Sequence, residues 1–331
     1  MMMQFGLVGL GAGAAAALLF ASVTSGSWLS IILFYLAPLP IMIAGLGWSH
    51  WSALIAGVLA ASALGVAFGG VFFFAFLAGA GLPAWWLTYL AMLARPAVAA
   101  NGAAAVKNDA PFEWYPPGRL VIWAAILGAL IVVVAIPNFG LDADSFRANL
   151  NSALTRMLQI ETGAASDQPL SVPGASDPKR LLAFLVEAIP PAAALLATVT
   201  NILNLWLGAR IVNFSGRLKR PWPELSAMTF PPLAAAVLAG AVILSFAGGL
   251  VGIVAGVLSA SLLMAYGMLG FAVMHDITRG IDSRPFLLGG LYAATVVFGW
   301  PMLALCVLGL VDTAIGLRAR VKRRRGPPAP T

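Results

Sequence analysis

The chain has 331 residues, of which 61% are hydrophobic and only 9% are charged, and its mean hydropathy is +0.94. One water-soluble core cannot hide that much apolar surface. The composition therefore excludes a soluble enzyme, a nucleic-acid-binding domain and a disordered tail protein. It indicates a chain that lies in a membrane.

Apolar runs long enough to cross a hydrocarbon core of about 30 Å recur along the chain. No Lys or Arg precedes the first run, so we interpret it as a span rather than as a cleaved secretory signal. Eight runs are placed at 4–23, 28–47, 51–69, 71–94, 119–137, 181–213, 230–247 and 250–273.

The last apolar run, 286–317, would be about 48 Å long as one straight helix. Gly299, Trp300 and Pro301 interrupt its middle. The run is therefore either one long kinked helix or a hairpin of two short ones.

The distribution of basic residues favours the hairpin. A hairpin places the tail 318–325 on the same side as the loops 95–119, 210–220 and 279–284, so that 15 of the 19 Lys and Arg residues share that side. Cytoplasmic segments carry such an excess. We predict ten crossings, within a range of about 8 to 10 spans, with both termini cytoplasmic in a bacterial inner membrane.

The predicted fold class is all-α: a polytopic transmembrane helical bundle that forms one domain over 1–317, with a basic, Pro-rich cytoplasmic tail at 318–331. The segment 138–180 is predicted to be extracytoplasmic and to contain an amphipathic helix capped by Asp144 or Ser145. That helix can lie on the outer leaflet or close over a cavity between the spans. Its apolar face carries Phe146, Leu150, Leu154, Met157 and Leu158 opposite Arg147, Asn151, Thr155 and Gln159.

Two acidic residues, Glu187 and Asp312, fall inside apolar runs. An ionisable group at membrane depth costs about 2.5 to 3.5 kcal/mol, so each is a functional hypothesis. Asp312 could instead reach the cytoplasmic interface or pair with an arginine there, since Arg318 follows six residues later. Glu187 could lie in the outer headgroup region if the crossing begins near Pro191.

The run that contains Glu187 also carries the most informative polar residues. The adjacent prolines Pro190 and Pro191 leave backbone carbonyls without hydrogen-bond donors. The side-chain amides of Asn201 and Asn204, which follow them, are expected at mid-membrane. A broken helix with such amides is typical of a transporter site, and interhelical hydrogen bonds that hold the bundle together are the alternative. The candidate intramembrane polar site comprises Glu187, Pro190, Pro191, Thr198, Asn201, Asn204 and Asp312.

Small residues recur at every fourth position of three runs, a pattern that lets helices pack closely within this chain or against a second protein. The three stripes are Gly9 and Gly13; Ala53, Gly57, Ala61, Gly65 and Gly69; and Gly248, Gly252, Gly256 and Ala260.

The only cysteine, Cys306, is interpreted as a small buried residue. The two histidines have no second ligand nearby in sequence, so no metal, no cofactor and no enzymatic activity are expected.

The stretches 187–212 and 284–320 together resemble the YybS-like family of bacterial multi-pass membrane proteins. The residues that carry the resemblance are Arg284-Pro285, the mid-run Gly299-Trp300-Pro301, and Gly309-Leu310-Val311-Asp312 before a basic end. The family has no established activity. It is distantly similar to the substrate-binding components of energy-coupling-factor vitamin transporters, which implies a solute site inside a helical bundle.

Two functions remain open from the sequence. One is small-molecule transport or solute binding within the bundle. The other is a non-catalytic membrane scaffold or assembly factor that acts through its glycine stripes and basic tail. The expected partners are the lipid bilayer and either a solute or other membrane proteins, with no specific nucleic acid. Because the chain has no nucleotide-binding motif, active transport would need an ion gradient or a separate energising subunit.

Overall fold

A computed structural model describes residues 2–96, 112–162 and 177–325, and this part of the chain is almost entirely helical. Strands β1 (Ala94–Pro96) and β2 (Phe112–Trp114) form one short antiparallel ladder. The helices are α1 Met2–Ala21, α2 Trp28–Tyr35, α3 Pro38–Gly47, α4 His50–Phe68, α5 Gly70–Phe76, α6 Leu82–Ala91, α7 Pro117–Ala135, α8 Ala143–Thr162, α9 Pro178–Phe214, α10 Pro232–Ser245, α11 Gly249–Ile277, α12 Arg284–Phe298, α13 Pro301–Ile315 and α14 Leu317–Arg325.

Seven helical segments of the described residues are long and apolar enough to cross a membrane, and the bent pair α13 and α14 makes an eighth if it counts as one span. The chain is therefore a multi-pass membrane protein, and the predicted all-α fold class is confirmed. The number of candidate spans reaches the predicted range of about 8 to 10 only if the bent pair counts as one span. Ten crossings would require α10 and α12, which have only 14 and 15 residues. The seven segments are Gln4–Ser25, Trp28–Gly47, His50–Phe68, Gly70–Ala91, Pro117–Asn138, Pro178–Phe214 and Gly249–Ile277.

The helices form two compact units. Unit 1 comprises Met1–Ala124, Val199–Pro232 and Tyr266–Thr331. Unit 2 comprises Ala125–Thr198 and Leu233–Ala265.

Within unit 1, glycines hold α1 close to α4. A β-carbon on Gly9 would lie 2.8 Å from the side chain of Ile55, and one on Gly13 would lie 2.8 Å from the carbonyl oxygen of Ala56. Gly57 also faces backbone, since a β-carbon on it would lie 3.4 Å from the Cα of Gly81. The first two glycine stripes therefore pack against helices of the same chain, which is the main way for helices to associate in lipid.

The last apolar run reverses direction, as the hairpin interpretation predicts. Helix α12 starts beside the end of α11, where Arg284 Nη2 donates to the carbonyl of His275 at 3.3 Å. After the break at Gly299, which has a φ of 71°, the chain returns to that same end, because Lys322 in α14 lies 3.3 Å from Asp276. One straight helix could not bring both ends of the run to one place.

Helix α8 in unit 2 confirms the predicted amphipathic helix, but its cap differs. Asp142, rather than Asp144 or Ser145, accepts the backbone N–H groups of residues 144 and 145, at 3.1 and 2.8 Å. Helix α8 therefore begins at Ala143, and its cap lies two or three residues before the predicted one. Phe146 and Leu150 are buried against Ile136 and Val186.

Helix α9 contradicts the predicted break at Pro190-Pro191. It continues through both prolines for 37 residues, which is about 56 Å. That exceeds the about 40 to 45 Å thickness of a bilayer with its headgroups. Because Glu187 lies only nine residues after the start of α9, this length is compatible with the headgroup position considered for it.

Candidate functional site

A cavity of about 190 Å³ lies within unit 2, and we call it the Arg147 cavity. It is enclosed by residues of α8, the first half of α9, the end of α10 and the start of α11. Its volume exceeds the about 150 Å³ of a cavity that holds benzene. Its walls are formed by Phe146, Arg147, Val186, Glu187, Pro190, Pro191, Ser245, Gly248, Gly249, Gly252, Ile253 and Gly256.

One wall of the Arg147 cavity carries an ion pair between two helices. Arg147 Nε donates to Glu187 Oε1 at 2.6 Å, although the two residues are 40 positions apart. The side chains remain 38% and 60% exposed. An exposed pair of this kind contributes at most about 1 kcal/mol to stability. The two charges are therefore held at the cavity by the packing of their helices. Their mutual attraction is weak enough for a bound ligand to replace one partner of the pair.

The packing of α8 explains why Arg147 reaches the cavity. The neighbouring Phe146 is 4% exposed and Leu150, one turn further, is 7% exposed. Because these residues fix the orientation of the first two turns, Arg147 points toward α9 rather than toward the outer surface. Met157 and Ile160, by contrast, are 60% and 83% exposed. The first part of α8 closes over a cavity, and the second part presents apolar side chains outward.

Proline chemistry makes the α9 wall polar. Proline has no N–H group, so Pro190 and Pro191 cannot donate to the carbonyl oxygens of Val186 and Glu187, four residues earlier. All four residues line the Arg147 cavity. The two carbonyls therefore lack their helical donors at the place where the cavity lies. The α9 wall of the cavity is therefore polar, although α9 is not broken at the two prolines.

On the wall opposite α9, the glycines have no side chain, so backbone atoms face the cavity. Gly248 and Gly249 lie where the chain passes from α10 into α11. Their φ values are 72° and 61°, a region that glycine adopts without strain. Gly252 lies so close to α10 that a β-carbon on it would be 3.1 Å from the carbonyl oxygen of Ser245. Gly256 faces open space, with nothing within 4 Å of a β-carbon built on it. The start of α11, with its partial positive charge, thus borders the cavity.

The structure does not bring the seven sequence-predicted site residues together. Glu187, Pro190 and Pro191 line the Arg147 cavity, and Thr198 and Asn201 do not. Thr198 is buried, donates to the carbonyl of Ala194 at 2.8 Å, and packs against Gly128 in unit 2. The Thr198 hydroxyl is therefore bonded within α9, at the contact between α9 and α7.

The two asparagines are buried in unit 1, where Asn201 is 2% and Asn204 is 1% exposed. Asn204 Nδ2 donates to the carbonyl of Tyr35 at 2.8 Å and to that of Thr200 at 2.9 Å. Among the described residues, Asn201 Nδ2 and Asn204 Oδ1 have no hydrogen-bond partner. The bond to Tyr35 is an interhelical contact, which favours the bundle-holding role for Asn204.

Asp312 is paired with an arginine, one of the two alternatives to a functional role. Its carboxylate accepts Nε and Nη2 of Arg318 at 3.0 and 2.7 Å, and it also accepts the backbone N–H of Arg318 at 3.0 Å. The remaining Arg318 donors reach the carbonyls of Ser226 and Met228. Every charge in this cluster is compensated, so Asp312 is explained as a structural residue.

The sequence does not identify Arg147 as a site residue. It lies on the predicted polar face of α8, and nothing local indicates that it meets Glu187. The pair Gly248-Gly249 does carry a signal, because two adjacent glycines between apolar runs mark a turn. No group of three His, Cys, Asp or Glu side chains that could hold a metal occurs among the described residues.

Comparison with known proteins gives no relative for this chain. No family model, no curated protein and no solved structure matches it. The resemblance to the YybS-like family therefore stays a prediction.

Proposed function

We propose that the protein takes part in small-molecule transport by binding a small zwitterionic solute, of the size of a free α-amino acid, in the Arg147 cavity. The observation that carries the proposal is the exposed Arg147–Glu187 pair at 2.6 Å on the wall of a cavity of about 190 Å³. A solute with one charge of each sign could replace each partner by its own opposite charge.

Two further features of the walls support a zwitterion. The guanidinium of Arg147 and the start of α11 are the positive features, and they suit a carboxylate. Glu187 and the carbonyls left free by the two prolines are acceptors, and they suit an ammonium group, which carries three donors. A purely anionic or purely cationic solute would leave one charge of the pair without a partner.

Transport is proposed on the basis of the membrane location. The cavity is formed by helices that include two of the seven candidate spans, α9 and α11, and α8 covers it. If the basic side is cytoplasmic, the cavity faces the extracytoplasmic side, where an incoming solute would first be bound. Energy would have to come from an ion gradient or from another subunit.

The glycine stripes and the basic segment, on which the scaffold hypothesis rests, make contacts within this chain. Two glycine stripes are already packed within unit 1, as Gly9, Gly13 and Gly57 show. In the basic segment, Arg318 and Lys322 pair with carboxylates of the same chain. Neither feature therefore requires a second protein, which favours the solute-binding function.

The experiment is a thermal-shift screen of the purified protein in mild detergent against the twenty amino acids and glycine betaine. We expect one or a few zwitterions to raise the midpoint of unfolding. Arg147→Gln and Glu187→Gln should each abolish that shift. Arg156→Gln is the matched control, because Arg156 is an exposed residue further along α8 and does not line the cavity.

A screen in which no zwitterion stabilises the wild type, while all three variants fold, would exclude the proposal. A shift that persists in Arg147→Gln and Glu187→Gln would place binding elsewhere. A shift reduced equally by Arg156→Gln would mean that net charge, rather than this cavity, determines binding.

A further inference from the structure

A second and larger cavity, of about 280 Å³, lies within unit 1 and is named here the Arg220 cavity. It follows α9 from Val199 to Ala209 and α7 from Pro117 to Ala124. These stretches correspond to about 15 and 10 Å of helix. The cavity is therefore an elongated groove between two helices, and apart from Arg220 its walls are almost wholly apolar.

The exception is a buried arginine. Arg220 lines the cavity and is only 9% exposed. Its Nη1 donates to the carbonyl of Ala91 at 3.1 Å, and no carboxylate of the described residues forms an ion pair with it. Loss of hydration lowers the pKa of Arg220 from its ordinary value, yet a guanidinium stays charged at neutral pH. A buried cation without a counter-ion is costly, so the site is suited to an anion.

The residues around Arg220 indicate the depth of this end of the cavity. Trp222 lines it, and the guanidinium of Arg210 lies 5.1 Å from the centre of the Trp222 ring. Tryptophan and arginine are concentrated at the membrane–water interface, at the level of lipid headgroups. The segment 210–220, which includes the end of α9 and the start of the loop that follows it, carries four basic residues. Basic pockets beside transmembrane helices on the cytoplasmic side bind anionic headgroups.

We propose that the Arg220 cavity is a binding site for one anionic membrane phospholipid, with an acyl chain in the groove between α7 and α9 and the headgroup phosphate paired with Arg220. The apolar groove accounts for the chain, and the uncompensated guanidinium accounts for the phosphate. The occupant is a phospholipid rather than a soluble anion because the groove and the charge belong to one cavity of a protein that lies in the membrane.

The test measures the thermal stability of the purified, delipidated protein in detergent micelles doped with phosphatidylglycerol, phosphatidylcholine, oleate or inorganic phosphate. We expect phosphatidylglycerol to stabilise the wild type most strongly. Arg220→Gln should weaken the apparent affinity for phosphatidylglycerol by about tenfold or more, because a charge-assisted hydrogen bond is lost. Arg217→Gln is the matched control: it removes the same charge from the same loop, outside the cavity lining.

A second variant keeps the charge and fills the groove. Val121→Phe adds a ring to the α7 wall, so it should prevent stabilisation by phosphatidylglycerol although Arg220 is intact. It also keeps the test decisive if Arg220→Gln does not fold. Equal responses to phosphatidylglycerol and phosphatidylcholine would overturn the proposal, as would an equal loss in Arg217→Gln. A response to oleate or to inorganic phosphate that matches the response to phosphatidylglycerol would overturn it as well.

Discussion

Asp312 and Arg318 form a buried ion pair across the bend between α13 and α14, with Oδ2 and Nη2 2.7 Å apart. The bend of 72° is made at Gly316, whose φ is 63°. The two side chains are only 7% and 10% exposed. This pair explains how an acidic residue is tolerated near the end of an apolar run, because its charge is neutralised within six residues.

Removal of either partner of this pair should destabilise the protein strongly. Asp312→Asn leaves the guanidinium of Arg318 without its counter-ion, and loss of one partner of a buried pair costs about 3 kcal/mol or more of the free energy of unfolding. Reversible unfolding in a detergent titration measures this. Glu224→Gln is the control, because its pair with Arg279 is exposed and should contribute little. Equal effects of the two variants would contradict the assignment.

The packing of α13 on α11 gives a second stability prediction. A β-carbon on Gly270 would clash with the carbonyl oxygen of Leu305. Gly270→Ala should therefore cost about 1 to 3 kcal/mol, the range for overpacked sites. Gly289→Ala in α12 is the matched control, since nothing lies within 4 Å of its β-carbon. The expected result is a lower midpoint of thermal unfolding for Gly270→Ala alone, and an unchanged midpoint would argue against this contact.

The hairpin formed by α12 and α13 can be tested by labelling from one side of the membrane. In a Cys306→Ala background, single cysteines at Ser283, Trp300 and Arg320 should give a simple pattern. Ser283→Cys and Arg320→Cys react from the same side, because both ends of the run lie beside the end of α11. Trp300→Cys should react only from the other side. Labelling of Ser283→Cys and Arg320→Cys from opposite sides would contradict the hairpin.

Acidification should loosen the start of α8. Hydrogen bonds from Ser145 hold the pKa of Asp142 below its ordinary value in the folded chain. The stabilisation by this carboxylate is therefore complete above the unfolded pKa and is lost as the pH falls through the lower folded pKa. Hydrogen–deuterium exchange of the first turn, corrected for the intrinsic rate, should rise in that window. Asp142→Asn keeps a capping oxygen and should remove this pH dependence.

The sequence predicts those features of the fold that depend on neighbouring residues better than those that depend on tertiary contacts. The spans α4 and α11 follow from apolar runs bounded by Ser, Gly or charged residues, which are local signals. The hairpin follows from charge asymmetry. The predicted break at Pro190-Pro191 is wrong, because a helix tolerates missing donors where tertiary packing holds it.

The candidate site was less predictable than the fold. Glu187, Pro190 and Pro191 are recognisable from the sequence, because an acid and a proline pair are unusual in an apolar run. Their partner Arg147 is 40 residues away, and no local pattern links the two. The burial of Arg220 is likewise set by tertiary contacts, since its sequence neighbours Lys219 and Pro221 look like an exposed loop.

The most direct test of the solute site fills the Arg147 cavity without straining the fold. Gly256→Val projects into open space on the cavity wall, and Gly240→Val in α10 adds the same side chain outside the lining. Equilibrium binding of the zwitterion that most stabilises the wild type is measured for both variants. We expect lost binding for Gly256→Val at unchanged stability and wild-type binding for Gly240→Val. Wild-type binding by a folded Gly256→Val would contradict the proposed site.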